Sequence, residues 1–287
     1  MAELVGILNL DKPAAWTSHD VVARVRRLAG QRRVGHAGTL DPAATGVLPV
    51  LLGRATRLVE LIQAGRKTYQ ATVCLGAATT TDDAEGETIA TAPVPTLSCE
   101  QVAGVLRRFE GTILQTPPRY SAIKVGGQRA YAVARRGDEP ALQPRPVTID
   151  ALHLLACDPP TLCLEVHCGS GTYVRALARD LGAALGTLGH LTALVRTRVG
   201  PFGLEDAIRL DTLAERGVAA VLLAADQALP TAPRVDVTDA EAAQLANGRG
   251  VALDGLAAGD VWVYAPAGRL VCLGAADGTL LRSRVLL

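Results

Sequence analysis

A single carboxylate, Asp41, lies in the middle of GHAGTLDPAATGVL, a stretch of small and turn-forming residues that runs from Gly35 to Leu48. Glycine permits tight turns and a close approach of other atoms, and Pro42 fixes the backbone directly after the acid. A carboxylate that is approached so freely suits nucleophilic catalysis. The same pattern describes an aspartate that only turns or caps the chain, so the spacing alone leaves both interpretations open.

Further polar side chains stand close to the points where strands or helices are expected to begin. Tyr69 lies in the alternating stretch KTYQATVCLG, and Arg175 follows Tyr173 by two residues at the start of YVRALARDLGAALG. A tyrosine can move a proton, and an arginine can keep a neighbouring carboxylate ionised. Taken alone, Tyr69 is better explained as a core residue with its hydroxyl at the rim, and Tyr173 and Arg175 can be ordinary residues of a first helical turn.

The elements around these residues predict a mixed α+β fold. TSHDVVARVRRLAG begins with Thr17 and Asp20 at the spacing of a capping box, and Gly30 is a suitable helix end. Alternating apolar residues predict strands in KTYQATVCLG and TLCLEVHCG, whereas SCEQVAGVLRRFEG and YVRALARDLGAALG predict helices. After the linker LPTAPRV, short strands alternate with glycine-containing turns, which is typical of a small β-barrel.

The composition indicates a globular protein, with 287 residues of which 49% are hydrophobic. No apolar run reaches the length of a membrane span, and the N-terminus lacks the features of a signal peptide. The six cysteines show no CxxC pair, so we expect reduced thiols in a cytoplasmic protein. The net charge is only +1, but residues 1–70 carry ten basic against five acidic residues. This imbalance favours a localised anion-binding face, although a solvated charged surface gives the same count.

Five stretches resemble, in order, the bacterial tRNA pseudouridine synthase B (TruB) family. Spread over residues 7–200, they are LDKPAAWTSHDVV, GHAGTLDPAATGVLPVLLGRATR, KTYQATVCLGAATTTDDAEGE, TPPRYSAIKVGGQRAYAVARRG and SGTYVRALARDLG. The resemblance implies a pseudouridine-synthase fold, a mixed and mostly antiparallel β-sheet with flanking helices and a central catalytic cleft. It implies a catalytic domain over residues 1–229, with a thumb-like RNA-binding segment at about 119–145. Residues 230–287 resemble a small PUA-like RNA-binding β-barrel.

The activity that this resemblance implies is the isomerisation of one T-loop uridine of tRNA, at position 55 in the tRNA convention, to pseudouridine. No cofactor and no metal are implied. A stacked base can be reached only if its nucleotide is flipped out. By the same resemblance, Asp41 matches the catalytic aspartate and Arg175 the arginine paired with it. Tyr69 matches the tyrosine that stacks on the target base and moves a proton. Whether Asp41 attacks the sugar or the base stays open.

The resemblance also implies a set of substrate-binding residues, namely His36, Tyr173, Leu194, Lys12, Arg119 and Lys124. His36 matches the histidine that takes the place of the flipped base in the RNA loop. Tyr173 and Leu194 match walls of the uracil pocket, and Lys12 belongs to the motif that supports the active-site loop. Arg119 and Lys124 are two of the six basic residues in the segment 119–145, where phosphate contacts are expected.

The implied partner is tRNA, bound by a monomer that needs no membrane and no obligatory protein partner. A non-catalytic chaperone that binds and folds the T-arm would share the RNA-binding features, but it would keep its function after Asp41→Asn. A hydrolase or phosphotransferase is disfavoured, because magnesium-dependent sites usually gather several acids. The compact length and the lack of a long basic tail disfavour a guide-dependent synthase for another RNA. His153, His167 and Cys168 lack a matching second pair, so we predict no metal site.

Overall fold

The structure is a computed structural model that describes residues 3–121, 123–125, 127–134, 136–253 and 255–287, with the side chain of Lys124 outside the description. The described strands are β1 (Gly6–Lys12), β2 (Val34–His36), β3 (Thr45–Leu52), β4 (Lys67–Leu75), β5 (Ala77–Thr79), β6 (Thr88–Thr91), β7 (Gly111–Gln115), β8 (Lys124–Val125), β9 (Gln128–Arg129), β10 (Arg145–Asp158), β11 (Thr161–Cys168), β12 (Gly189–Val199), β13 (Phe202–Gly203), β14 (Arg234–Asp236), β15 (Val251–Ala252), β16 (Gly259–Ala265), β17 (Arg269–Ala276) and β18 (Leu280–Leu286). The described α-helices are α1 (Ser18–Ala29), α2 (Val59–Ala64), α3 (Cys99–Leu106), α4 (Ala130–Ala134), α5 (Val174–Ala184), α6 (Leu210–Arg216), α7 (Val218–Val221) and α8 (Asp239–Ala246).

A nine-stranded sheet forms the body of the protein. Its strands follow the order β1-β3-β12-β4-β11-β10-β7, with β2 beside β3 and β13 beside β12. The pairings are antiparallel except between β3 and β12, which run parallel through Thr45 opposite Val195 and Gly46 opposite Arg196. The predicted mixed α+β fold with a mostly antiparallel sheet is therefore confirmed.

The first helix forms as its sequence predicts. Thr17 Oγ1 accepts a hydrogen bond from the Asp20 amide, and the Asp20 carboxylate accepts one from the Thr17 amide, which completes the capping box. The helix ends at Gly30, whose φ of 62° suits a residue without a side chain. Val21 and Val25 pack into an apolar cluster with residues of β1 and β3. This packing fixes the position of α1 beside the GHAGTLDPAATG loop.

The continuous apolar sequence of β3 follows from its burial on both faces. Leu48 and Val50 pack toward α1, whereas Val47 and Leu51 pack toward the opposite side of the sheet. The predicted strand β4 instead alternates, with buried residues at every second position from Lys67 to Leu75. Its buried face packs against the apolar side of α5, so the first turn of α5 lies at the centre of the sheet.

The C-terminal residues form a second, five-stranded sheet in the order β14-β16-β17-β18-β15, curved into a half-barrel. Its core joins that of the body, because Trp262 and Leu273 share an apolar cluster with Ile7, Leu51 and Phe202. The Trp262 indole donates to the Leu229 carbonyl at 2.9 Å, which fastens the predicted linker. Within the described residues, every helix falls short of the length and apolar character that a membrane span requires.

Candidate functional site

The loop that carries Asp41 joins β2 to β3 and is fixed from outside by helix α1. Ser18 Oγ accepts a hydrogen bond from the Leu40 amide at 2.9 Å and lies 3.3 Å from the Leu40 carbonyl. The Ala15 amide donates to the Pro42 carbonyl at 3.0 Å. The loop therefore presents the Asp41 side chain from a backbone that is held on both sides of it.

Arg175, in the first turn of α5, holds the Asp41 carboxylate with two nitrogens. Nε lies 3.0 Å from Oδ2, and Nη2 lies 3.2 Å from Oδ1. The same guanidinium donates to the carbonyls of Thr81 and Tyr120, both at 3.0 Å, and lies 3.5 Å from the Asp83 carboxylate. Only 8% of the Arg175 side chain is exposed. A two-pronged contact to a buried arginine fixes both the position and the direction of a carboxylate.

Opposing influences set the charge state of Asp41. Burial raises the pKa of its carboxyl above the usual range, and the Asp83 charge adds to this rise. The cations of Arg175 and Lys12 oppose it and favour the ionised form. Since 39% of the Asp41 side chain stays exposed, a ligand can reach the carboxylate from the cleft. The residue has the surroundings of a nucleophile or a general base.

Tyr69 projects from β4 into the same cleft, with the ring nearly fully buried. It lies opposite Arg196 of β12 in the sheet, and the Arg196 guanidinium is near enough to the phenol hydroxyl to influence its pKa. Burial raises the pKa of Tyr69, so the phenol keeps its proton at neutral pH. The side chain can therefore offer an aromatic face or edge and a proton, but not a phenolate.

A cavity of about 350 Å³ connects these groups, and Asp41, Tyr69, Tyr173, Arg175 and Leu194 all line it. The backbone of Tyr173 is fixed by the Gln115 amide group, which accepts from its N–H at 2.9 Å and donates to its carbonyl at 3.1 Å. The volume suits a small planar ligand of the size of one nucleoside. The structure thus brings together the three predicted catalytic residues and two of the predicted substrate-binding residues.

His36 lies outside this cavity, on the wall of an adjoining one of about 680 Å³ that shares Asp41 and Arg175 with it. Burial and the Arg196 charge lower the pKa of His36, so its ring is neutral at neutral pH. Among the described residues, Nδ1 of His36 is buried without a hydrogen-bond partner. The ring therefore offers a neutral aromatic surface with one unused polar atom at the entrance of the cleft.

Lys12 lies behind the loop rather than in the cavity. Its Nζ donates to the carbonyls of Pro13 at 2.9 Å, Trp16 at 2.6 Å and Pro42 at 3.1 Å. Burial lowers the pKa of Lys12 to about 8, against the influence of the nearby Asp41 charge. The contact with Pro42, the residue after Asp41, makes Lys12 a support of the loop.

The segment 119–145 covers one side of the cleft. It contains the β8–β9 hairpin and α4, and Arg119 donates to the Asp138 carbonyl at 3.0 Å. Tyr120 and Ser121 line the cavity, while the Tyr120 carbonyl is one of the groups that Arg175 holds. The predicted phosphate contact of Lys124 falls on a side chain outside the described part of the chain.

Sequence reasoning missed three charged residues of the site. Asp83, in the turn after β5, contacts Arg175, and Lys67 of β4 lines the cavity with a pKa that burial lowers to about 8. Arg196 lies at the back of the cavity and is almost fully buried. Asp83 and Lys67 stand inside quoted family motifs, which is a signal. Arg196 lies two residues after Leu194, outside the quoted motifs. The local sequence marks it only as a basic residue within a predominantly apolar strand.

His153 and His167 come together on the other face of the sheet, away from the cavity. His153 lies opposite Glu165 in the β10–β11 pair, and the two imidazole rings meet edge-on at 5.5 Å between centroids. Nε2 of His167 contacts the Glu165 carboxylate. Cys168 instead is buried in the core under α5. The ligand atoms of His153, Glu165 and His167 lie within 4.8 Å of one another, a spacing at which they could hold a metal ion, whereas Cys168 is separate from them.

Two family models match the chain. Residues 26–174 match "TruB family pseudouridylate synthase (N terminal domain)", and residues 175–229 match "tRNA pseudouridylate synthase B C-terminal domain". The second match begins at Arg175, so the ion pair with Asp41 joins the two matched regions.

Similar proteins carry consistent names. A protein named tRNA pseudouridine synthase B from Mycobacterium tuberculosis (strain ATCC 25618 / H37Rv) is 48% identical over 98% of this chain and 95% of its own length. One of the same name from Thermobifida fusca (strain YX) is 48% identical over 93% of both chains. Among solved structures, an H/ACA RNP bound to a substrate RNA containing 2'-deoxyuridine matches with a TM-score of 0.73 and 26% identity, over 98% of this chain and 84% of that chain. A Cbf5-Nop10-Gar1 complex matches with a TM-score of 0.72 and 29% identity, over 94% and 78%.

Proposed function

Because this chain belongs to the TruB family of pseudouridylate synthases, we propose that it isomerises the T-loop uridine at position 55 of tRNA to pseudouridine. The observation that carries this proposal is the Asp41 carboxylate, held by Arg175 and open to a cavity of about 350 Å³. The relatives named for tRNA are 48% identical, whereas the neighbour from an H/ACA RNP is 26% identical. Sequence similarity therefore favours tRNA over a guide-selected RNA as the substrate.

In the proposed reaction, the base leaves its sugar at N1 and returns through C5. The bond between N1 and C1' breaks, a bond between C5 and C1' forms, C5 loses its proton and N1 gains one. Atoms and electrons balance without an oxidant, a reductant or a metal. Asp41 acts as the nucleophile, on either the sugar or the base, and it is regenerated when the new bond has formed.

Arg175 has two effects in this scheme. Its positive charge favours the ionised Asp41 against the burial that would protonate it. Its two-pronged contact also aims the carboxylate into the cavity, which places the attacking oxygen before the substrate arrives. Tyr69 supplies a face or edge for the uracil ring and a phenol that holds or moves a proton, since burial keeps that phenol neutral.

The entrance of the cleft suits a flipped nucleotide. The neutral ring of His36 takes the place that the extruded base leaves in the RNA loop, and its buried Nδ1 finds a partner there. Tyr173 and Leu194 form the walls against which the uracil packs. Lys12 supports the loop from behind through the Pro42 carbonyl. Replacing lost base stacking with an aromatic side chain lowers the free energy needed for flipping.

Outer regions are proposed to bind the rest of the tRNA. The thumb-like segment 119–145 closes on the T-stem, with Arg119 and Lys124 on phosphates. The catalytic domain spans residues 1–229, and the half-barrel over residues 230–287 is a PUA-like RNA-binding domain. The protein acts in the cytoplasm as a monomer, without a cofactor, a metal or an obligatory protein partner.

A direct test uses purified protein and an unmodified tRNA transcript, with and without a chelator, followed by mapping of pseudouridine. We expect pseudouridine at position 55 in both conditions for the wild type. Asp41→Asn should bind the tRNA but form no pseudouridine, while the control Asp206→Asn, an exposed aspartate on the surface, should match the wild type. A wild type that forms no pseudouridine in the T-loop contradicts the proposal. Faster tRNA refolding that survives Asp41→Asn would point to the non-catalytic chaperone.

A further inference from the structure

Arg196 is the largest fully buried side chain of the described residues, with 1% of its surface exposed. It sits on β12 where that strand lies between β4, which carries Tyr69, and β3, which directly follows the loop that carries Asp41. Arginine is almost never buried completely unless it is paired. Such a position therefore needs an explanation from its contacts.

Two of these contacts go to the backbone of the loop that carries Asp41, and a third goes to β3 directly after the loop. Nε donates to the Val47 carbonyl at 2.8 Å, Nη2 to the Gly38 carbonyl at 2.9 Å, and Nη1 to the Thr39 carbonyl at 3.4 Å. Gly38 and Thr39 precede Asp41, and Val47 follows it. One rigid, planar group thus spans both ends of the loop.

The fourth contact is the hydroxyl of Tyr69. Arginine has only N–H donors, so the phenol oxygen beside it faces a donor and the phenol proton points elsewhere. Tyr69 lines the cavity, so the cavity is a direction open to the O–H. Arg196 therefore sets the direction of the tyrosine proton as well as the position of the loop.

None of these four partners carries a formal negative charge, because three are carbonyls and the fourth is a neutral phenol. A buried cation with neutral partners is a costly way to stabilise a core. An apolar side chain of similar volume would fill the same space at a lower desolvation penalty. The contacts consequently favour a role in the site over a role in packing.

We propose that Arg196 is a positioning residue that locks the Asp41 loop against Tyr69 and directs the Tyr69 proton into the cavity. The proposal rests on the proposed isomerase function. It says that the fixed separation between the carboxylate and the phenol is set by one guanidinium that touches neither the uracil nor the sugar. Losing that separation lowers the rate of the chemical step and leaves tRNA binding intact.

Two variants test this role. Arg196→Lys keeps the charge but loses the planar fork, and Arg196→Gln keeps some donors but loses the charge. The matched controls are Arg198→Lys and Arg198→Gln, which change an exposed arginine on the same strand that pairs with Glu205. We expect kcat to fall about 100-fold in both Arg196 variants, with KM for tRNA within about threefold of the wild type. The Arg198 variants should keep both constants.

Hydrogen exchange gives a readout that does not depend on isomerisation. In Arg196→Lys the amides of residues 37–44 should exchange about tenfold faster or more, while those of β4 and β11 keep their protection. The loop should not change in Arg198→Lys. If the wild type makes no pseudouridine but this exchange pattern appears, the proposed function fails and the positioning of the loop by Arg196 stands.

Three outcomes would overturn the proposal. The first is turnover of tRNA by Arg196→Lys within threefold of the wild type, and the second is wild-type exchange of its loop amides. The third is loss of the folded state in both Arg196 variants while the Arg198 variants keep theirs. That last result would make Arg196 a residue of the fold rather than of the loop position.

Discussion

Gly46 tests how tightly the catalytic loop is held against the sheet. It adopts a φ of +99°, and a Cβ added there would lie 2.3 Å from the Arg196 carbonyl oxygen and 3.0 Å from its carbonyl carbon and amide nitrogen. These are backbone atoms of a paired strand, so they cannot rotate away as a side chain would. Gly46→Ala must therefore push β3 away from β12, the strand with which it pairs in parallel.

Gly111→Ala is the matched control, because Gly111 also has a positive φ, of +87°, in a strand, but an added Cβ would meet nothing within 4 Å. In both variants the strained backbone lowers the free energy of unfolding by roughly 1–3 kcal/mol. In Gly46→Ala alone, the steric collision of the added Cβ lowers it by about 1–3 kcal/mol more. At about 2–4 °C per kcal/mol, Gly46→Ala should melt roughly 2–12 °C below Gly111→Ala.

The assay compares the two variants by thermal unfolding and by single-turnover isomerisation of tRNA. Gly46→Ala should also lose turnover, since moving β3 shifts Arg196 and the loop that carries Asp41. Gly111→Ala should keep the wild-type rate because it lies at the start of β7, at the edge of the sheet. Equal melting temperatures within 1 °C would refute the reasoning, since they would show that the collision with Arg196 costs nothing.

The remaining predictions concern charge. Asp83 raises the pKa of Asp41, so Asp83→Asn should stabilise the ionised carboxylate and move the acid limb of the pH–rate profile to lower pH; an unmoved limb would contradict this. Lys12→Met removes the ammonium that donates to three carbonyls, so the free energy of unfolding measured in urea titrations should fall by about 1–3 kcal/mol. An unchanged urea midpoint would show that water donates to those carbonyls in place of Lys12. Arg145→Gln, in the thumb-like segment, should reduce the slope of log K against log salt for tRNA binding by about 0.7–0.9, and an unchanged slope would exclude a phosphate contact there.

Local signals predicted the elements well. The capping box of Thr17 and Asp20, the alternation of β4 and the apolar face of α5 each depend on neighbours within a few residues. The loop that carries Asp41 stands out for the same reason, because its glycines and proline are contiguous. Its chemistry was predictable only through the family resemblance, since an isolated aspartate in a turn has several explanations.

The contacts of Arg196 could not be read from the chain. It is separated from Val47 by 149 positions, and the two meet only because β3 and β12 pair in parallel within a mostly antiparallel sheet. Register shifts in the β12–β4 pair further decide that Arg196 faces Tyr69. Such placement depends on the whole strand order, which hydrophobic periodicity does not specify.

The shared apolar cluster of Trp262 and Leu273 with the body has a mechanical consequence for a large substrate. Arg54 and Arg57 of the body also donate to the carbonyls of Leu287 and Leu286, so the last residues of the chain are clamped as well. The shared core and these contacts oppose movement of the half-barrel relative to the body, which favours a fixed distance from its outer surface to Asp41. In the proposed tRNA complex, an RNA arm that contacts both the half-barrel and the site around Asp41 must match the distance between them.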